Sequence, residues 1–177
     1  MNDLLSSAVL NAKDKNQATV FCYHVNNPEQ YGVIDFDTNG KVLSIEEKPH
    51  KPKSNFALTG LYFFPNDVIS KAPKVLPSKR GELEITTLIE MYLNEDRLVV
   101  ELMGRGYAWL DTGTHKKLLE ASTFIEIIER RQGLKVACIE EIAFNKGYIS
   151  RDQLLELAKP LANNQYGQYL LRCAEEN

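Results

Sequence analysis

Two short stretches carry side chains able to do chemistry. Ile45-Glu46-Glu47-Lys48-Pro49 places two carboxylates and an ammonium at the end of an alternating run, just before a proline-stiffened loop. A carboxylate accepts hydrogen bonds from sugar hydroxyls, and a lysine offers a compact charge to phosphate. Strand alternation sends Glu46 and Lys48 to one face and Glu47 to the other, unless the strand end twists. The same charges also suit a solvated hairpin end. In the second stretch, Tyr107 to Thr114, the single tryptophan, Trp109, stands two residues before Asp111 at an expected strand-to-helix junction. Ligands collect at the carboxyl ends of strands in open α/β sheets, and an aspartate there can hold Mg²⁺. Equally, Asp111 can cap the coming helix while Trp109 fills the core.

Other polar groups point less clearly. Arg80-Gly-Glu-Leu-Glu84 precedes a helix whose positive end suits its acids. His24 lies in an apolar strand and reads as a core residue; His50 and His115 are far from it. Cys22, Cys138 and Cys173 have neither disulfide-framework nor metal-ligand spacing, which suits a reducing cytoplasm. Gly104-x-Gly106 has Trp109 where a dinucleotide fingerprint needs its third glycine.

The elements that must position these groups follow from periodicity. Leu4, Leu5, Ala8, Val9 and Ala12 mark an amphipathic helix. Ala18 to Val25 reads as a strand buried on both sides, and YGVIDF and KVLSIEEK flank Asp37-Thr38-Asn39-Gly40, where Asn-Gly supplies the positive φ of a hairpin turn. Asn55 to Phe64 reads as another buried strand, followed by a short helix from Pro65 through Ile69 and an irregular loop. A helix from Glu84 and a strand from Arg97 to Met103 come next. Helices follow from Thr114 to about Arg131, with Leu118, Ala121, Ile125 and Ile128 on one stripe and Gly133 as the stop, then near Glu140 to Asn145, from Arg151 to Lys159, and from about Asn164 to Glu175. Ser150-x-x-Gln153 is a capping box.

Strands early and helices late give an α/β or α+β class in 177 residues, enough to bury a core. A net charge of −3 without a basic stripe argues against nucleic acid, and no run approaches the roughly 20 apolar residues of a membrane span.

The ordered words YGVIDFDTNGKVLSIEEKP, NFALTGLYFF, RGELEITTL, GRGYAWLDTGTHKKLLEAS and IERRQGLKVACIEEIA resemble the later part of the glucose-1-phosphate thymidylyltransferase family, short tetrameric type. The resemblance implies a truncated nucleotidyltransferase mixed sheet with C-terminal helices. Residues 1–110 would be the sugar-binding part, and residues 111–177 the metal aspartate with an oligomerising, regulatory helical region. In that family a sugar 1-phosphate attacks the α-phosphorus of dTTP and pyrophosphate leaves.

By resemblance Lys48 contacts the sugar phosphate and Glu47 the hexose hydroxyls. Tyr31, Gly32, Leu58 and Tyr62 line the sugar pocket, Trp109 packs beside it, Arg80 and Glu82 lie near it, and Asp111 is one of two Mg²⁺ ligands. Arg105 and Glu141 match positions of a feedback site, in which Asn145 replaces an expected arginine. The family's nucleotide-binding portion, with its G-x-G-T-R-L-type loop, has no counterpart in the 177 residues. The expectation is therefore a homo-oligomer that binds glucose 1-phosphate but takes dTTP or releases dTDP-glucose only when that portion is supplied. A non-catalytic remnant or an assembly module is the alternative.

Overall fold

The computed structural model describes residues 2–176 and divides the chain into two compact units, Met1–Trp109 and Leu110–Asn177. In the first, five strands form one mixed sheet: β1 (Ala18–His24), β2 (Gly32–Phe36), β3 (Val42–Glu47), β4 (Phe56–Phe63) and β5 (Leu98–Met103), in the order β3-β2-β4-β1-β5. Among the described residues only β1 and β5 run parallel; the pairs β1–β4, β2–β3 and β2–β4 are antiparallel.

Helix α1 (Asn2–Lys13) packs on β1 and β4, and a later helix, here α3 (Ile85–Asn94), packs on β3 and β5. Alternation along β1 explains why both cover it. Thr19 is buried toward α1, where Asn11 Nδ2 donates to its hydroxyl at 3.2 Å. Val20 and Cys22 turn the other way, into a core with Ile34, Ile45, Leu58 and Ile89 of α3. Residues Ala18 to Cys22 are thus buried on both sides, as their composition predicts.

His24 departs from expectation: it ends β1 exposed, its ring edge-on to Phe56 at 5.7 Å. β4 also differs. It buries Ala57 and Leu58 but exposes Gly60 and Leu61, so it is only partly a core strand. Helix α2 spans Val68–Lys71, later than the expected start at Pro65.

The β2–β3 turn uses a different device from a two-residue Asn-Gly turn. Gly40 alone takes positive φ (+80°), while the Asp37 carboxylate accepts from the backbone N–H groups of Asn39 and Lys41, both at 2.8 Å. Residues 107–112 form no strand.

In the second unit, α4 (His115–Gln132) starts on Thr114, whose hydroxyl accepts from Lys117 N, and stops at Gly133 in the left-handed region. Its expected stripe is shallow: Ala121 is buried, Ile125 and Ile128 are half-buried, and Leu118 is exposed. The core here belongs to α5 (Ile139–Asn145), α6 (Arg151–Ala158) and α7 (Gln165–Glu176), around Cys138, Leu154, Ala158, Tyr169, Leu170 and Cys173. The capping box of Ser150 and Gln153 forms in both directions. Among the described residues no helix is long and apolar enough to cross a membrane.

Candidate functional site

The antiparallel register of β2 and β3 sets Gly32 opposite Glu47, and β4 brings Leu58 alongside. A methyl group added at Gly32 would lie 2.9 Å from Thr86 Cγ2, 3.0 Å from Leu58 Cδ1 and 3.3 Å from Glu47 Oε2. The missing side chain therefore makes the space into which Glu47 turns. Strand pairing continues one step further, as Lys48 N donates to Tyr31 O at 3.0 Å.

There the alternation breaks. Lys48 has φ +43°, left-handed backbone that a residue with a Cβ adopts at a cost of about 1 kcal/mol. The expected sharing of one face by Glu46 and Lys48 therefore fails: Lys48 is re-aimed by its own backbone and exposed, while Glu46 pairs with Lys53 at 2.5 Å. Strain of this kind is worth tracing to function when it falls on a charged side chain beside a recess.

Trp109 closes one side. Its indole N–H donates to Thr59 O at 3.0 Å, and its ring lies 5.1 Å from Tyr31 and 6.2 Å from Tyr23. Tyr23 in turn donates to Tyr107 O at 3.0 Å, tying the coil after β5 to β1. An apolar, polar-edged wall of this type suits the face of a sugar ring.

Opposite charges meet in the loop before α3. Arg80 Nη1 lies 3.6 Å from Glu47 Oε1 and 3.7 Å from Glu84 Oε1, and Nη2 lies 2.9 Å from Glu82. Burial holds the Glu47 carboxyl above the ordinary glutamate range and the charge of Glu84 adds to this; Lys48, a hydrogen bond from Thr86 and Arg80 pull it back. Burial also raises the Tyr62 phenol, with the Glu47 charge contributing. Behind it the buried Cys22 thiol is pushed up to about 12 by desolvation.

Tyr31, Gly32, Glu47, Lys48, Leu58, Tyr62, Arg80, Glu82 and Trp109 thus all lie in the first unit, with direct contacts linking Glu47 to Arg80, Gly32 to Leu58, and Tyr31 to Trp109. Arg105 is exposed in the turn after β5. Thr86, Glu84 and Tyr23 join the constellation although motif reading did not single them out for binding. Tyr23 carried a usable signal, an aromatic at the far end of an apolar strand.

Asp111 belongs to the second unit. It does not cap α4, which Thr114 does; its carboxylate accepts from Gly113 N at 3.0 Å and from Lys117 Nζ at 2.7 Å. As a hard oxygen donor it suits one position around Mg²⁺, an ion that takes one or two carboxylates and fills its remaining positions with phosphate and water. Lys117 competes for one of its oxygens. Among the described residues no three acidic, histidine or cysteine side chains gather as a metal cluster. Glu141, in the first turn of α5, accepts from Tyr169 at 2.7 Å.

Comparison with known proteins gives the family of the chain. Residues 1–127 match the nucleotidyl transferase family. Glucose-1-phosphate thymidylyltransferase of Xanthomonas campestris pv. campestris is 57% identical over 158 residues, covering 89% of this chain and 54% of that relative. The enzyme of the same name from Neisseria meningitidis is 52% identical over 161 residues, covering 91% and 56%. The chain spans about half the length of the curated relatives it matches. A Bacillus anthracis protein provisionally described as a glucose-1-phosphate thymidylyltransferase, crystallised with sucrose, superposes with a TM-score of 0.57 at 35% identity, over 70% of this chain and 46% of that one. The mixed sheet with C-terminal helices is thus a nucleotidyltransferase-like fold, shortened relative to those homologues.

Proposed function

This chain belongs to the nucleotidyl transferase family, and from that premise we propose that it carries the sugar-phosphate half of a glucose-1-phosphate thymidylyltransferase. The observation that carries this reading is the recess at Gly32, where Glu47 turns toward a bare Cα beside Arg80 while the next residue, Lys48, is turned away by its left-handed backbone. Glu47 accepts hydroxyl hydrogen bonds from glucose, Lys48 meets the phosphate, and Trp109 with Tyr31 covers the ring. Gly32 and Leu58 shape the floor, Tyr62 flanks it, and Arg80 and Glu82 close the side.

In the transfer, an oxygen of glucose 1-phosphate forms a bond to the α-phosphorus of dTTP as the bond to the pyrophosphate oxygen breaks, giving dTDP-glucose. The chain's own residues position one anion and offset its charge, which is the main work in this class of reaction. Asp111 would hold Mg²⁺, which when bound neutralises phosphate charge. Binding of dTTP and turnover need the portion of the relatives that this chain does not match. The working form is a homo-oligomer in the cytoplasm.

Calorimetric titration of glucose 1-phosphate into the 177-residue chain tests the reading. Binding should weaken at least tenfold in Lys48→Ala and in Glu47→Gln, about 1.4 kcal/mol each. A wild-type chain that does not bind glucose 1-phosphate refutes it. Pyrophosphate release with dTTP and Mg²⁺ should appear only after adding a fragment that covers the unmatched portion of the Xanthomonas relative; release by the chain alone would overturn the division of labour.

A further inference from the structure

We propose that Glu84 is a positioning residue for this site, holding the Arg80 guanidinium against Glu47. The inference rests on the sugar-phosphate reading above and adds to it a residue that touches neither sugar nor phosphate.

Glu84 stands at the N-cap of α3 but does not act as one: its side chain makes no capping hydrogen bond. Glutamate is also a poor choice for that position, where short side chains reach the free N–H groups better. The carboxylate turns instead into the preceding loop, with only 9% of the side chain exposed. A carboxylate buried to that degree is costly unless paired.

Its partners are specific. Ser78 Oγ donates to Glu84 Oε1 at 2.8 Å and accepts from Arg80 N at 3.1 Å, so one hydroxyl joins the arginine backbone to the glutamate. Ser78 N donates to Glu82 O at 2.8 Å, and Gly81 N to Ser78 O at 2.9 Å, closing the loop on itself. The same Glu84 oxygen lies 3.7 Å from Arg80 Nη1, and that nitrogen lies 3.6 Å from Glu47.

Without Glu84, the nearest acid left on Arg80 apart from Glu47 is Glu82, whose side chain is 59% exposed. An exposed pair of that kind is worth little, and it draws the guanidinium toward solvent. Glu84 is the inner anchor that keeps the long arginine folded back. The titratable groups facing Glu47 are Glu84 and Arg80 from this loop, Lys48 beside it and Tyr62 from β4, with the Thr86 hydroxyl donating from α3. Glu84 raises the Glu47 carboxyl more than Arg80 lowers it, so removing its charge shifts Glu47 down even if Arg80 loosens.

Carbon-13 NMR titration of the Glu47 carboxyl, the Arg80 Nε–H signal and glucose 1-phosphate affinity, measured on the full 177-residue chain, test this. In Glu84→Gln the Glu47 midpoint should fall, the Arg80 signal should broaden into exchange with water, and affinity should drop about tenfold, the worth of one charge-assisted hydrogen bond. Ser78→Ala, which removes the bridging hydroxyl and no charge, should loosen Arg80 while leaving the Glu47 midpoint near wild type. An unchanged Glu47 midpoint with an unchanged Arg80 signal in folded Glu84→Gln overturns the proposal. If that variant does not fold, an unchanged Arg80 signal in Ser78→Ala overturns it. Should the wild-type chain not bind glucose 1-phosphate, the functional reading fails, and the two spectroscopic readouts still decide the role of Glu84.

Discussion

Replacing Gly32 with alanine isolates the steric logic of the recess, because Gly32 lies in an ordinary strand where its backbone has no need of glycine. The new methyl would sit 2.9 Å from Thr86 Cγ2 and 3.0 Å from Leu58 Cδ1, against the roughly 3.5–4.0 Å at which carbon atoms rest. Neither neighbour can swing into solvent, since Thr86 is 3% and Leu58 6% exposed. Overpacking of this kind costs about 1–3 kcal/mol, and a central value of about 2 kcal/mol lowers the melting temperature of a chain this size by about 4–8 °C. Thermal unfolding followed by circular dichroism reads the loss. Thr86→Ser removes the closest contacting atom, so the double variant should recover about 1 kcal/mol relative to the sum of the singles. Glu47 Oε2, 3.3 Å from the same methyl, must also give way, and glucose 1-phosphate should bind more weakly. A Gly32→Ala chain that melts with wild type, or a double variant that is strictly additive, refutes the claim that the bare Cα makes the space.

Two further outcomes can be checked independently. Trp109→Phe keeps an aromatic wall but loses the 3.0 Å bond to Thr59 O; chemical denaturation should show a loss of about 1 kcal/mol, and glucose 1-phosphate should bind less tightly. Asp67 has a carboxyl held below its ordinary value of 3.8, since Arg97, Tyr92 and Lys71 together outweigh the opposing effect of burial. Its contribution is therefore complete above that value and is lost as pH falls through the lower folded-state value. Asp67→Asn should be less stable than wild type at neutral pH, with the two unfolding curves converging in acid; a gap that widens in acid contradicts the assignment.

Local signals in the sequence were legible because their partners are near in the chain. Ser150 with Gln153, and Gly133 at the end of α4, each satisfy a helix end within one turn; the start of α4 was not legible in this way, since the sequence offered Asp111 as a cap and Thr114 takes that role. The strands of the sheet were also recognisable, since β-rich apolar runs need no knowledge of their neighbours. What could not be read depends on groups brought from elsewhere. The exposure of His24, at the end of an otherwise buried strand, is set by tertiary cover and not by the composition of the strand. The contact between Gly32 and Thr86 joins residues more than fifty positions apart. Alternation misplaced Lys48 because a single left-handed residue resets the phase of a strand. Similarity to known sequences pointed to the residues around the recess, but only the register of β2 against β3 shows why Glu47, and not Glu46, faces Gly32.

That register turns the hairpin into a ruler. Glu47 is set opposite Gly32 by the turn held by Asp37 and Gly40 together with the register shift between Asp35 and Phe36. Sliding β3 by one residue would present Glu46 or Lys48 to the recess and reverse every side chain on the strand. The distant turn, which touches no part of the recess, thereby sets which charge is dealt to it. Between that turn and the recess the ladder already takes up one unmatched residue, at the irregularity between Asp35 and Phe36, so a single residue inserted beside the turn can be absorbed as a bulge without exchanging the two faces.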